Sequence, residues 1–206
     1  METGDDTDAQ QQQQQKLERL EEVLWVTQAQ AGDSDAFARL MNRYEKRLIY
    51  YLRRIVPEGD WALDLHQEVW IDVYRGLPSL HIPEAFRAWI YRIAHRKAAR
   101  FLRAEKRLET AAAPFDSAAA PDPAPQEQQP QQNFEPETRL MLDAEALHKA
   151  LQLLPSEQRE ILVLHYLRDL STQELAVVLD CPAGTVKSRL YHARIALRRI
   201  MERKRF

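Results

Sequence analysis

The sequence has little of what stabilises secreted or membrane-spanning proteins. Among its 206 residues there is one cysteine, Cys181, so no internal disulfide can form and nothing points to an oxidising compartment. No apolar run approaches the roughly 18 residues that a transmembrane helix needs, and the acidic, glutamine-rich N-terminus lacks the pattern of a signal peptide. These absences predict a cytoplasmic protein with no direct membrane insertion.

Patterns that serve catalysis are also missing from the sequence. It has no glycine-rich phosphate-binding loop and no convincing arrangement of nucleophile, base and orienting acid. The six histidines are scattered without the spacing of metal ligands. We therefore expect no catalytic residue, no bound metal and no cofactor.

The chain is nearly neutral overall, but its charges are segregated. It holds 29 basic and 31 acidic residues, for a net charge of -2. Two stretches, Phe86–Arg107 and Ala183–Phe206, each carry eight bases against one acid. Such a stretch can be an ordinary solvated helix face, but a local cationic field is also typical of nucleic-acid binding. The pattern predicts contact with nucleic acid at two separate places.

A helix-turn-helix is predicted between Leu170 and Arg199. Ser171 and Glu174 have the spacing of a capping box, which begins a helix. The chain breaks near Asp180, because Pro182 fits only the first turn of a new helix. The second helix would bury Val186, Leu190, Ala193 and Leu197. It would expose Lys187, Ser188, Arg189, Tyr191, His192 and Arg194. Two short helices of this kind are typical of a DNA-binding helix-turn-helix.

The rest of the sequence divides by composition. Residues 1–15 are polar and glutamine-rich and are predicted to be disordered. Residues 16–107 show four stretches of helical periodicity, enough to enclose a core. Residues 108–136 hold six prolines and no base, which predicts an acidic, disordered linker that keeps two modules apart. Residues 137–206 add two helices before the helix-turn-helix. The expected fold class is therefore all-α, with two small helical domains.

Three motifs in this order resemble the extracytoplasmic-function (ECF) sigma factors of the sigma-70 family, the small initiation factors of bacterial RNA polymerase. They are Asp64–Leu77 (DLHQEVWIDVYRGL), Phe86–His95 (FRAWIYRIAH), and Asp180–Leu190 (DCPAGTVKSRL) preceded by Leu154-Pro155. Each motif alone is weak evidence, but all three with these gaps are highly specific. The resemblance implies sigma region 2 in residues 16–107 and a region 4 helix-turn-helix in residues 137–206.

The resemblance also implies the site residues of region 2. Asp64, Gln67 and Glu68 are expected to bind core RNA polymerase. The loop from Ser79 to Phe86 is expected to receive a base flipped from the non-template strand, and the helix after it to contact the DNA backbone. Trp89 is predicted to be core, and Tyr91 is left open between core and DNA contact. The expected minus-ten DNA-binding residues are Ser79, Leu80, His81, Phe86, Arg92, Arg96, Lys97, Arg100 and Arg103.

Region 4 is expected to read the minus-thirty-five element in the major groove. Arginine and lysine can reach guanine edges, and an aromatic ring can pack on a thymine methyl group. Backbone amides near Gly184 and Thr185 can bind a phosphate. The expected contacts are Gly184, Thr185, Lys187, Ser188, Arg189, Tyr191 and His192.

The leading prediction is thus a sigma factor that binds core RNA polymerase and promoter DNA for a stress- or signal-responsive regulon, with no chemistry of its own. An anti-sigma factor is the further partner that the resemblance implies. The alternative is a regulator that binds duplex DNA through its C-terminal domain and proteins through its first domain. The linker is either a plain tether or a segment that occupies a cationic channel of the polymerase.

Overall fold

The described part of the chain is built from helices. The computed structural model describes residues 3–57, 59–112, 144–166 and 170–204, and within these ranges it contains no strand. The N-terminal unit consists of α1 (Thr3–Gln30), α2 (Ser34–Ile55), α3 (Trp61–Gly76) and α4 (Phe86–Ala112), with 3-10 turns at Leu77–Ser79 and Pro83–Ala85 between the last two. The C-terminal unit consists of α5 (Ala144–Gln152), α6 (Ser156–Tyr166), α7 (Thr172–Val178) and α8 (Ala183–Lys204). The predicted all-α class is confirmed, and most of the predicted linker lies outside the described residues.

Helix α1 begins much earlier than the sequence predicted. We expected disorder through residue 15, whereas the helix starts at Thr3 and includes the glutamine run. Glutamine is a good helix former, and extending a helix that is already nucleated costs little. Packing of the second half provides the nucleus: Val26 is fully buried, and Glu22 accepts a 2.7 Å hydrogen bond from the Tyr44 hydroxyl. Composition alone therefore gave the wrong state for this segment.

The N-terminal unit has a core in which aromatic rings meet edge to face. Tyr44 and Tyr51 of α2 are fully buried. The ring of Tyr44 contacts that of Phe86 at 5.5 Å, and Tyr51 contacts Tyr91 at 5.6 Å, an arrangement that the charge distribution of aromatic rings favours. Tyr91 is therefore a core residue, which answers the question that its sequence position left open. On α3, Leu65, Val69 and Val73 are buried along one face of the helix.

The helix-turn-helix forms as its local signals predicted. The Glu174 amide donates to Ser171 Oγ at 3.2 Å, while the Ser171 amide donates to Glu174 Oε2 at 2.8 Å, so both halves of the capping box are present. Asp180 adopts φ 51, a left-handed conformation that reverses the chain after α7. Helix α8 then buries Val186 and Ala193 completely. These contacts fix which face of α8 remains exposed.

The two units pack directly against each other rather than standing apart. Helix α6 contacts α2 on one side and α8 on the other, and α7 contacts α4. Four consecutive apolar residues of α6, residues 161–164, are all buried because neighbours cover the helix on several sides. Buried side chains of both units form one continuous core. This arrangement differs from the sequence prediction of two modules held apart.

Candidate nucleic-acid interface

The exposed side of α8 carries the predicted major-groove residues together. We call Lys187, Ser188, Arg189, Tyr191 and His192 the reading face, and all five are exposed. The rings of Tyr191 and His192 meet edge to face at 5.4 Å. Arg189 lies 4.0 Å from Glu157 of α6, and both side chains are well exposed, so this ion pair is weak. The reading face is therefore available to a ligand in this conformation.

Gly184 lies in the first turn of α8 beside open space. A β-carbon added there would meet no atom within 4 Å, so internal packing does not require glycine at this position. Pro182 precedes it, and Thr185, the other predicted phosphate contact, is half-buried. The absence of a side chain leaves the amides of this helix start accessible, as binding of a phosphate would require.

Helix α4 exposes only part of its predicted DNA-contacting set. Arg96, Arg100 and Arg103 are exposed and follow helical spacing along one face. Lys97 lies between Glu68 and Asp72 of α3, with its Nζ 3.0 Å from a carboxylate oxygen of each. Burial lowers the pKa of Lys97, but hydrogen bonds to these acids and their charges outweigh it and raise the pKa above its usual value. The structure thus joins a predicted DNA contact to a predicted polymerase contact, Glu68.

The loop before α4 is held by Gln30 of α1, a residue that no local sequence pattern singles out. Gln30 Nε2 donates to the carbonyl oxygens of Leu77 and Leu80 at 2.9 and 2.7 Å. These two bonds hold the loop against the helical unit, while Ser79 and His81 remain exposed and Leu80 is half-buried. The signal for Gln30 is a contact across about fifty residues, which no local pattern encodes.

Two aromatic residues of the second motif lie against the core rather than on the surface. Phe86 is completely buried, and its ring contacts those of Tyr44 and Trp89. Its side chain is therefore not presented to DNA in this conformation, because the start of α4 turns that face inward. Trp89 packs against the core as predicted. The position of Trp89 also explains why residue 76 is glycine, because a β-carbon at Gly76 would lie 2.9 Å from the Trp89 ring.

Helix α3 presents a mixed polar and apolar face. Asp64, Gln67 and Glu68 are exposed as predicted. Ile71 and Tyr74 extend the same side of the helix and are 48% and 69% exposed. Sequence reasoning missed these two, although their spacing from Gln67 places them on its face. Large apolar side chains left exposed among polar ones are typical of a protein-binding surface.

The buried side of α3 includes a polar contact. Trp70 is 5% exposed, and its indole N–H donates to His66 Nε2 at 3.0 Å. Burial lowers the pKa of His66 below its usual value, against a smaller opposing effect of Glu45. The neutral ring, which the lowered pKa favours, is also the form that can accept this bond.

The first half of α4 faces the C-terminal unit through charged contacts. Arg87 donates to Glu174 of α7 through Nη2 at 2.8 Å and through Nε at 3.2 Å. Arg92 lies 4.0 Å from Asp180 at the turn after α7. Burial raises the pKa of Glu174, but bonds from Arg87 and Ser171 outweigh it and leave the pKa below its usual value. A shallow surface depression of about 440 Å³ beside Arg92, largely open to solvent, is lined by Val177, Cys181 and neighbouring residues.

Among the residues described, no helix is long and apolar enough to cross a membrane. In the same ranges, no group of three or more histidine, cysteine, aspartate or glutamate side chains is arranged to hold a metal ion.

Comparison with known proteins identifies both units. Residues 40–108 match the family described as Sigma-70 region 2, and residues 144–197 match Sigma-70, region 4. These ranges contain α3, most of α4 and almost all of the helix-turn-helix. The two matches occur in the order that the sequence motifs predicted.

Whole-chain relatives agree. The chain is 34% identical to the ECF RNA polymerase sigma-E factor of Escherichia coli K12, covering 87% of this chain and 94% of that protein. It is 32% identical to the RNA polymerase sigma-H factor of Pseudomonas aeruginosa, covering 94% and 95%. The sigma factor RpoE of Bartonella quintana, solved in complex with the anti-sigma factor NepR, shares the fold with a TM-score of 0.61 at 22% identity, covering 81% of this chain and 96% of that one. The chain therefore belongs to the sigma-70 family, within its ECF group of RNA polymerase sigma factors.

Proposed function

We propose that this sigma factor divides promoter-directed initiation among three surfaces: the exposed face of α3, the exposed side of α4 with its preceding loop, and the reading face of α8. The observation that carries the proposal is the placement of all five reading-face residues on one exposed side of a helix whose other side is buried. The protein itself catalyses no reaction in this proposal and acts in the cytoplasm, with the polymerase.

Helix α8 is the proposed reader of the minus-thirty-five element. An α-helix fits the major groove of B-DNA, where Lys187 and Arg189 can donate to guanine acceptors. Ser188 can pair with several bases, and Tyr191 can pack on a thymine methyl group or on the sugar. The accessible amides at Gly184 and Thr185 would hold a phosphate and fix the helix in register.

The exposed side of α4 is the proposed binding surface for the minus-ten region. Arg96, Arg100 and Arg103 would follow the backbone of the separated strand, while Ser79, Leu80 and His81 would border a flipped base. Lys97 supports this surface indirectly, because its ammonium group is already paired with two carboxylates of α3. We assign Phe86 to the support of this loop from the core.

The exposed face of α3 is the proposed contact with core RNA polymerase. Asp64, Gln67 and Glu68 can accept or exchange hydrogen bonds with basic side chains of a partner helix. Ile71 and Tyr74 add the apolar area that such contacts need for affinity. The apolar residues are a refinement that the sequence alone did not provide.

An anti-sigma factor is the proposed regulatory partner, acting for a stress- or signal-responsive regulon. The RpoE of Bartonella quintana was solved with such a factor bound. A protein that covered α3 and α4 here would block both proposed ligands of the N-terminal unit. Purification of the chain from its own cells with a co-purifying inhibitor of transcription would support this part of the proposal.

Transcription with purified components tests the proposal. Core polymerase plus this chain should give run-off transcripts from a defined set of genomic start sites, whereas core polymerase alone should not. Combined Lys187→Ala and Arg189→Ala changes should abolish the response to the minus-thirty-five sequence, and Glu202→Ala on the same helix is the matched control. Tight, specific binding of the free chain to a duplex, with no effect of polymerase, would instead identify a conventional DNA-binding regulator and overturn the proposal.

A further inference from the structure

The N-terminal unit exposes an aromatic ring where α3 meets α4. Trp61, the first residue of α3, is 48% exposed, and the centroid of its ring lies 5.2 Å from that of Phe101 on α4. Phe86 and Trp89, the aromatic residues early in α4, lie against the core instead. Among the described residues of this unit, Tyr74 is the other exposed aromatic side chain. Trp61 is therefore an open aromatic surface for which the proposed function has no use so far.

We infer that Trp61, supported by Phe101, stacks on a base of the single-stranded promoter DNA that follows α4. We call these two rings the aromatic platform. The inference rests on the proposed role of α4 in minus-ten binding. It adds to that surface a contact that lies outside the three sequence motifs.

The aromatic platform is held in place from two sides. Gly59 has φ 137, a backbone conformation that other residues rarely adopt, and a β-carbon there would lie 3.2 Å from Trp61 Cδ1. The turn before α3 thus closes against the edge of the indole, while Phe101 contacts the ring from α4 at an interplanar angle of 44°. A ring fixed in this way loses little conformational freedom on binding, and about half of its surface remains open to a ligand.

Trp61 lies on the side of α3 that faces α4. Glu68 follows it by seven residues, which returns to nearly the same side of a helix, and Glu68 pairs with Lys97 of α4. Ile71 and Tyr74, the apolar residues of the proposed polymerase contact, lie about 80° and about 140° around the helix from Trp61. This placement favours a ligand of α4 over a ligand of the outward face of α3.

The charges around the aromatic platform indicate how a strand would lie on it. Arg100 and Arg103 of α4 are exposed on either side of the supporting phenylalanine in the sequence. Asp60 and Asp64 are exposed on the α3 side. The phosphates should therefore lie over α4, with one base turned toward the indole. Cations along the backbone combined with aromatic rings under the bases are typical of single-strand binding.

The stacked base is distinct from the flipped base proposed for the loop before α4. Phe101 follows Phe86 by 15 residues, which is about 22 Å along the helix. A stacked strand advances about 3.4 Å per nucleotide. The aromatic platform should therefore take a base within about seven nucleotides of the flipped one, so that α4 holds the strand near both of its ends.

The test uses holoenzyme, assembled from core polymerase and the full chain, with promoter DNA whose minus-ten region is single-stranded. 2-Aminopurine or an abasic site replaces one nucleotide at a time on both sides of the flipped base. With the unmodified protein, one or two neighbouring positions should show quenched 2-aminopurine fluorescence. An abasic site at the same position should weaken binding about fivefold or more, the low end of what base–aromatic stacking contributes.

Variants of Trp61 show whether this ring is responsible. Trp61→Ala should weaken binding of intact DNA about as much as the abasic site does, and the two losses should not add, because ring and base form one contact. Trp61→Phe keeps an aromatic face and should retain part of the quenching. Leu20→Ala shortens another exposed apolar side chain, on α1, and should change neither readout. Capture of core polymerase should be equal for all of these proteins.

Trp61→Leu serves if Trp61→Ala fails to fold, because it keeps an apolar contact with Phe101 and has no aromatic face. Additive losses, or no position at which quenching and the abasic loss coincide, would overturn the inference; weaker DNA binding by Arg100→Ala would still support the assignment of α4. Reduced capture of core polymerase by Trp61→Ala, with an unchanged abasic response, would move Trp61 to the polymerase interface and also overturn the inference. If neither Arg100→Ala nor Trp61→Ala alters DNA binding, the inference and the assignment of α4 are both wrong.

Discussion

Replacing Arg189 with alanine tests how the reading face binds DNA. Arg189 is 44% exposed and its nearest acid, Glu157, lies 4.0 Å away and is 76% exposed. An exposed pair at that distance contributes about 0–1 kcal/mol. The variant should therefore fold normally, and a loss of DNA affinity can be attributed to the missing contact.

The expected loss depends on what Arg189 touches. A phosphate contact contributes about -0.9 to the slope of log affinity against log salt concentration. Raising salt fourfold should then weaken the unmodified protein by about 3.5-fold more than the variant, whatever the DNA sequence. A bidentate contact with guanine would add about 1–3 kcal/mol of discrimination, restricted to one base pair.

The assay is holoenzyme binding to labelled promoter fragments, with matched and base-substituted minus-thirty-five elements, over a salt series. Arg198→Ala is the control, because Arg198 lies nine residues further along α8, about half a turn around the helix from Arg189, and pairs with Glu202 at 2.8 Å. If Arg189→Ala and Arg198→Ala have the same affinity, salt slope and base preference as the unmodified protein, the assignment of the reading face is wrong.

Three further changes have definite expected outcomes. Gln67→Ala combined with Glu68→Ala should reduce capture of core polymerase by about tenfold, because two polar contacts of an interface together contribute more than about 1 kcal/mol. The control, Glu45→Ala at an exposed position of α2, should leave capture unchanged. Equal capture of the double variant and the unmodified protein in pull-downs would show that α3 is not part of the polymerase interface. Ser171→Ala removes the acceptor of the 3.2 Å hydrogen bond from the Glu174 amide and should lower the free energy of unfolding by about 1 kcal/mol. Calorimetry should show this as a fall in Tm of about 2–4 °C. Ser171→Thr keeps an acceptor oxygen and should retain most of the lost stability. Because burial lowers the pKa of His66 from 6.5, the folded state prefers the neutral ring, so its contribution to stability is complete above pH 6.5 and is lost as the pH falls below that value. Urea titrations should show this loss, and His66→Gln should flatten it. A profile that His66→Gln leaves unchanged would mean that burial does not lower the pKa of His66.

Features encoded within a few residues of sequence were predictable. The capping box at Ser171 and Glu174 needs only a spacing of three residues, and the exposed face of α8 follows from the periodicity of the side chains that it buries. The exposure of Asp64, Gln67 and Glu68 was predictable for the same reason. In each case one helix supplies both the signal and the structure.

Features that depend on distant partners were not predictable. Glu160 has the sequence appearance of an ordinary polar helix residue, and only contacts with Tyr51 and His95, 109 and 65 residues away, bury it. Lys97 is basic and lies in a basic helix, so nothing local distinguishes it from Arg96 or Arg100, yet α3 pairs it. Helix α1 shows the opposite error, because composition suggested disorder where packing of Val26 nucleates a helix that extends through the glutamines.

The packing of α6 between α2 and α8 restricts how this protein could be recombined with its relatives. Residues 161–164 contact the core on faces that belong to both halves of the chain, so a C-terminal half transplanted from another sigma factor would bring surfaces shaped for a different N-terminal half. Chimaeras joined within the connecting segment would then be poorly soluble unless α2 and α6 were exchanged as a pair. If relatives exchanged promoter specificity during evolution, we therefore expect the contacting residues of α2 and α6 to have changed together.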